Sequence, residues 1–164
     1  MIVLGIDPGF ARVGYGIIEY KSSKYRVMEY GSITTEAGET FSSRLKKVSE
    51  DLTEIIGKYK IDVAAIESLF FNTNTKTAIN VAQARGVILC TLEIAGIEIA
   101  EYTPLQAKQA LVGYGRADKL QMKEMVKRFL KLESMPKLDD TTDALAMAIC
   151  HTHSCKYREI EKSK

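Results

Sequence analysis

The sequence predicts an α/β domain: a five-stranded mixed sheet, three antiparallel strands and then parallel ones, flanked by α-helices. Three observations carry this. Two short apolar runs, Ile2-Val3-Leu4-Gly5-Ile6 and Val63-Ala64-Ala65-Ile66, have the length and composition of buried strands. The segments following the first run, Val13 to Tyr20 and Tyr25 to Thr35, also read as strands with only short connections, which suits an antiparallel meander. From Phe41 onward, stretches with helical spacing alternate with strands, which demands parallel pairing across helical crossovers.

Each element follows in order. Residues 2–7 form the first strand, and Pro8-Gly9 turns the chain. Gly14 and Gly16 lie inside the second strand, where glycine marks a bulge or a close backbone approach. Phe41, Leu45, Val48, Leu52, Ile55, Ile56 and Tyr59 share a helical face, with Thr40 as its cap. Residues 62–67 form a strand parallel to the first, residues 68–74 a polar loop, and Thr75 to Ala95 a long helix stopped by Gly96. Ile97 to Tyr102 closes the sheet. Thr103-Pro104 opens a helix that Gly113-Tyr114-Gly115 ends, and helices follow over 119–132 and 139–155.

Composition narrows the class. With 164 residues, 46% hydrophobic and 27% charged, the chain fits one domain, expected over residues 1–155, with a short, basic, flexible tail over 156–164. A net charge of +2 permits a nucleic-acid partner without requiring one. Three cysteines in apolar settings argue against a disulfide scaffold. The first apolar run ends at Asp7 with no basic leader, and no stretch is long and apolar enough for a membrane, so a cytoplasmic protein is expected.

The chemistry lies in four acids. Asp7 and Glu67 end the two apolar runs, and Asp140 and Asp143 lie three apart at the start of the last helix. A carboxylate at the end of a buried strand costs desolvation energy unless something positive offsets it. No lysine or arginine stands beside Asp7 or Glu67 in sequence, and a shared divalent cation is the natural partner. All-oxygen donors suit Mg²⁺ or Mn²⁺ rather than zinc. Taken singly, Asp140 or Asp143 also suits a helix cap, and Asp7 before Pro8-Gly9 suits an Asx turn. Glu67 has no comparable structural reading.

Together with their surroundings these residues resemble the RuvC family of Holliday-junction resolvases, within the RNase H-like nucleases. The carrying motifs are Gly5-Ile6-Asp7-Pro8-Gly9, Ile66-Glu67 with Phe70, Gln83-Ala84-Arg85-Gly86, Thr103-Pro104, Lys108-Gln109, Val112-Gly113, Asp118-Lys119 and Asp140 to Ala146 with His151 and His153. The resemblance implies a homodimer that binds four-way DNA junctions and nicks two strands symmetrically. It implies Asp7, Glu67, Asp140 and Asp143 as the catalytic and metal-binding set; Asp139 is adjacent, and the motif's register selects Asp140. It also implies association with a branch-migration motor. Two Mg²⁺ ions per subunit, replaceable by Mn²⁺, are expected roughly 3.5–4 Å apart across the scissile phosphate. Cleavage would leave 5′-phosphate and 3′-hydroxyl ends.

The resemblance points to Phe70 as a residue that stacks on an unpaired junction base, and to Lys108 and Lys119 as phosphate contacts. Lys76, Arg116 and Lys123 are weaker candidates, and the tail lysines read as solvated. The helix from Thr75 has two apolar stripes, Ile79, Ala82, Gly86, Leu89 and Ala78, Val81, Ile88, Leu92, of which only one can face the sheet. The other needs cover from later helices or a partner subunit, and Ala78, Val81, Ala82 and Gly86 are the expected dimer interface. Cys150-His151-Thr152-His153-Ser154-Cys155 superficially suits zinc, but its neighbours on a helix point apart. Three rival classes compete with a junction nuclease. An actin-like ATPase would need a second phosphate loop and a longer chain. An RNA-processing RNase H-like nuclease would not need the Phe70 loop or a dimer helix, and a non-cleaving junction binder would not need four converging carboxylates.

Overall fold

The structure, a computed structural model, describes residues 1–68 and 75–162, with side chains for 1–68 and 77–155. Its elements are β1 (Ile2–Asp7), β2 (Arg12–Lys21), β3 (Lys24–Thr34), α1 (Phe41–Gly57), β4 (Val63–Glu67), α2 (Thr75–Ile94), β5 (Glu98–Tyr102), α3 (Pro104–Val112), α4 (Lys119–Leu130) and α5 (Asp139–Lys162). The sheet order is β3-β2-β1-β4-β5. β1, β2 and β3 pair antiparallel, and β4 and β5 add in parallel. This is the expected mixed sheet, with the first and fourth strands side by side.

Strand alternation divides the core in two. Leu4 and Ile6 of β1, with Ala64 and Ile66 of β4, face α1 and α2 and join Val48, Leu52, Ile88 and Leu92. Val3, Val63 and Ala65 face the other way and pack with Leu145, Ile149, Val126 and Leu111 of α5, α4 and α3. The domain is a three-layer sandwich, and both faces of the sheet are covered.

The strand glycines serve close approach. On Gly5 a Cβ would strike the Ala144 carbonyl, on Gly14 the Asp140 carbonyl, and on Gly16 the Leu145 side chain. Gly5 pairs with Gly16, and Asp7 with Gly14, so the three glycines form one floor into which α5 sinks. The register irregularity in β2 falls instead at Ile17/Ile18.

The caps follow the sequence. Thr40 Oγ1 accepts from the Ser43 N–H, and Thr103 and Gln106 form a reciprocal capping box ahead of Pro104. Gly113 ends α3 at φ 88°, which only glycine adopts without strain. Asp118 and Gln121 cap α4 in the same reciprocal way, a box that the sequence-based expectation lacks. α5 continues to Lys162, past the expected end at residue 155. No glycine or proline interrupts the Lys- and Glu-rich stretch, so nothing stops the helix there.

Candidate metal-binding active site

Alternation along the strands places the first two acids. In β1, Val3, Gly5 and Asp7 share the face toward α5, and in β4, Val63, Ala65 and Glu67 do the same. Ile6 is opposite Ile66 in the parallel ladder, so the next residues, Asp7 and Glu67, meet at the carboxyl edge of the sheet. Their carboxyl groups lie within interaction range, and each acts on the other's protonation. The N-terminus of α5, drawn close by the glycine floor, brings Asp140 and Asp143 to the same edge.

The electrostatics describe a site loaded with unbalanced negative charge. Asp7 is pushed up to about 8, first by burial and then by Glu67, Asp143 and Asp140. Burial raises Glu67 as well, and burial also raises Asp143, opposed by the Lys119 ammonium. Among the described residues no lysine or arginine forms an ion pair with Asp7 or Glu67.

Asp139 and Asp140 diverge. Asp139 takes Lys119 Nζ at 2.8 Å on one carboxylate oxygen and Lys123 Nζ at 2.6 Å on the other. These two hydrogen bonds hold its carboxyl down at about 2. Asp140 faces the other acids and accepts from Arg12 Nη1 at 3.1 Å. The residue turned toward the cluster is Asp140, and Asp139 is turned toward α4.

The donor set fits a hard divalent cation: the donors are all carboxylate oxygens, and burial raises Asp7, Glu67 and Asp143. Among the described residues, no three His, Cys, Asp or Glu side chains are already gathered as a closed metal cage. Mg²⁺ characteristically uses one or two carboxylates with water and substrate phosphate completing its shell. Beside the acids lies a cavity of about 240 Å³, lined by Glu67, Asp143, Lys108 and Lys119 over an apolar floor of Met122 and Met147. Both predicted lysines therefore sit at the site, and Lys119 reaches to 3.9 Å from Asp143.

The remaining candidates are placed as follows. Phe70 lies outside the described residues. On α2, Ile88 and Leu92 are fully buried, whereas Ile79 is 61% and Ile94 82% exposed, so the stripe containing Ile79 and Gly86 faces outward. Ala78, Val81 and Ala82 are half-buried, and a Cβ on Gly86 would meet nothing within 4 Å. His151 lies roughly 12 Å along α5 from Asp143, at 1.5 Å per residue. It contacts Tyr102 Oη at 2.8 Å and Cys155 Sγ at 3.2 Å, deep in the α5 layer rather than beside the carboxylates. His153 Nδ1 contacts the Ala110 carbonyl at 2.8 Å. Arg12 is the site residue that sequence reasoning missed. Its one signal is position, at the start of the strand that pairs with β1.

A mixed sheet of order β3-β2-β1-β4-β5 with acids from β1, β4 and the last helix at its carboxyl edge defines a domain of the RNase H-like class. Comparison with known proteins narrows this further. The chain belongs to the RuvC family: the family model described as crossover junction endodeoxyribonuclease RuvC matches residues 3–151. The crossover junction endodeoxyribonuclease RuvC of Clostridioides difficile (strain 630) is 55% identical over 163 residues, covering 99% of this chain and 96% of that protein. Its counterpart in Alkaliphilus metalliredigens (strain QYMF) is 52% identical over the full length of both. Among solved structures, Thermus thermophilus RuvC in complex with Holliday junction substrate aligns at a TM-score of 0.91 and 30% identity, covering 96% of each chain.

Proposed function

We propose that this protein is a structure-specific endonuclease that resolves four-way DNA junctions by paired, symmetric nicks, in homologous recombination and repair. The observation that carries the reading is the convergence of Asp7, Glu67, Asp140 and Asp143 at one sheet edge, in a chain of the RuvC family.

Asp7, Glu67, Asp140 and Asp143 would hold the metal, two Mg²⁺ per subunit with Mn²⁺ as a substitute. When bound, such cations supply charge to the phosphoryl oxygens and an activated water for in-line attack, with a 5′-phosphate and a 3′-hydroxyl as the products. The chain's own residues do the rest. Asp7, between Glu67 on one side and the α5 acids on the other, fixes the centre of the site. Lys108 and Lys119 on the cavity wall orient the substrate phosphate, and Met122 and Met147 keep that wall apolar. Phe70, following Glu67, stacks on an unpaired base, a contact worth about 1–3 kcal/mol.

A homodimer through the outward face of α2, with Ala82 and Gly86 on that face and Ala78 and Val81 on its flank, matches the two-fold symmetry of the junction and the pairing of the cuts. The exposed Ile79 and Ile94 support it. Residues 1–155 make up the nuclease domain and 156–164 a basic extension. The enzyme works in the cytoplasm alongside a branch-migration motor; Cys90, Cys150 and Cys155, all unbridged, suit that compartment.

Cleavage of a synthetic four-way junction against a linear duplex of the same sequence, with and without Mg²⁺, tests the reading. Paired, Mg²⁺-dependent nicks confined to the junction are expected. Equal cutting of the duplex, or binding without cutting, would overturn it.

A further inference from the structure

Helix α4 connects the active site to a second, unassigned cationic feature. Its lysines recur every fourth residue, Lys119, Lys123 and Lys127, and Lys131 continues the row just past the helix. Residues at this spacing form one ridge on a helix surface. At one end of the ridge, Lys119 and Lys123 are tied to Asp139 beside the carboxylates. At the other, Arg128 and Lys131 line a cleft of about 370 Å³ together with Lys24, Tyr25, Phe129 and His153.

That cleft is far from the acids. Its β2–β3 wall begins at Tyr20, whose N–H bonds the carbonyl of Met1, at the opposite end of β1 from Asp7. From Lys119 to Lys131 the ridge covers roughly 18 Å at 1.5 Å per residue. Among the described residues, no acidic side chain lines the cleft. Among the described residues, Lys24, Lys127, Arg128 and Lys131 form no ion pair. The α4 C-terminus by itself would repel an anion. The four uncompensated cations reverse that local field.

Backbone conformation points to the same place. Among the described non-glycine residues, positive φ occurs at Ser22 (50°), Ser23 (59°) and Lys131 (52°), all on the rim of this cleft or next to it. A two-residue hairpin turn of this kind favours Asn-Gly, and a helix ending in the left-handed region favours glycine. Serines and a lysine at these positions sacrifice local stability to keep polar and cationic side chains there.

We infer that the α4 ridge and the cleft at its end form a track for the phosphate backbone of one duplex arm of the DNA substrate, leading away from the scissile phosphate. The inference rests on the junction-resolving reading above. A polyanion already held at the carboxylate edge fits better than an acidic protein, because the lysine row leads from the active site to the cleft. At 3.4 Å per base pair, 18 Å places the outer contacts about five base pairs along the arm.

Phosphate-ethylation interference on a four-way junction, bound without divalent ions, tests this. The wild-type protein is expected to show an inner block of interfering phosphates at the nick site and an outer block about five base pairs along the arm. In Lys127→Gln/Arg128→Gln/Lys131→Gln the outer block disappears, and the slope of log affinity against log salt becomes shallower by about 3. Lys127→Arg/Lys131→Arg, which preserves charge, keeps the outer block. An absent outer block in the wild type, or an outer block and salt slope unchanged in the triple variant, overturns the track and leaves the cleft to an acidic partner. Failure of the wild-type protein to cut the same junction in Mg²⁺ would overturn the resolvase reading instead.

Discussion

Arg12 donates to the Asp140 carboxylate at 3.1 Å, tying the start of β2 to the first turn of α5, while the adjacent Asp139 turns away to Lys119 and Lys123. Neighbours on a helix point about 100° apart, so only one of the two aspartates can face the strand acids. Asp140→Asn should therefore lower junction cleavage roughly 100-fold or more, the scale of the several kcal/mol that a catalytic ion supplies. Asp139→Asn should leave the turnover rate within about threefold and act mainly on affinity, since it frees Lys119 and Lys123 without touching the acid cluster. Single-turnover cleavage at saturating enzyme separates the two. Equal rate losses would refute the assignment of Asp140.

The protonation of Asp7 predicts how the metal-free protein responds to pH. Its folded carboxyl is pushed up to about 8, above an ordinary value of 3.8. Between these values the native state holds more protons than the unfolded state, so stability is fully present below about pH 4 and is lost as pH rises through 8. Glu67 and Asp143 are raised and act in the same direction. Asp139, held down at about 2, acts in the opposite direction but at more acidic pH. A displacement of even half that size corresponds to about 3 kcal/mol. In chelator, Asp7→Asn should be more stable than wild type at pH 8.5, and the gap should close by pH 4. Denaturant melts at both values would show it, and a pH-independent gap would mean that Asp7 is not the strained acid.

Much of this was legible before the fold was known, because the signals are local. Asp7 and Glu67 end their apolar runs, and strand alternation sends both toward α5. Thr103-Pro104 and Gly113 mark the ends of α3 by chain chemistry alone. The contacts that stayed hidden join distant segments. Nothing near Arg12 in sequence announces Asp140, 128 positions away. The glycines of β2 signalled close approach, but not that the approaching element is the helix carrying half of the acids. The Asp118 box is local yet was hidden for a different reason: Asp118-Lys119 draws notice as a basic motif, which masks the aspartate's role as a cap.

The glycine floor makes the site sensitive to a single methyl group. A Cβ on Gly5 would overlap the Ala144 carbonyl, a backbone atom that no rotamer change can move. Overpacking of this kind typically costs 1–3 kcal/mol. Gly5→Ala should destabilise by at least about 2 kcal/mol, and by displacing α5 from β1 it should impair cleavage even where the variant remains folded. Gly57→Ala, at the end of α1, is the control: a Cβ there meets nothing within 4 Å, so the melting temperature should hold or rise. Thermal melts of the two variants check the contrast, and a Gly5→Ala protein as stable and active as wild type would mean that α5 does not need this depth.

Cation binding should answer the same carboxylates from the other side. Protons held by Asp7 and its neighbours must leave before a divalent ion binds, so apparent Mg²⁺ affinity should climb as pH rises from 6 toward 8 and then level off. Mg²⁺ at 100 times its dissociation constant should stabilise the fold by about 2.7 kcal/mol, which a thermal-shift titration reads directly. Asp7→Asn removes a charged ligand from the centre of the site, and in that variant the Mg²⁺-dependent shift should collapse while junction binding in chelator persists. Arg12→Ala, by releasing Asp140, should move the titration midpoint to lower Mg²⁺. A midpoint unmoved by pH and by both substitutions would show that the ion binds elsewhere on the chain.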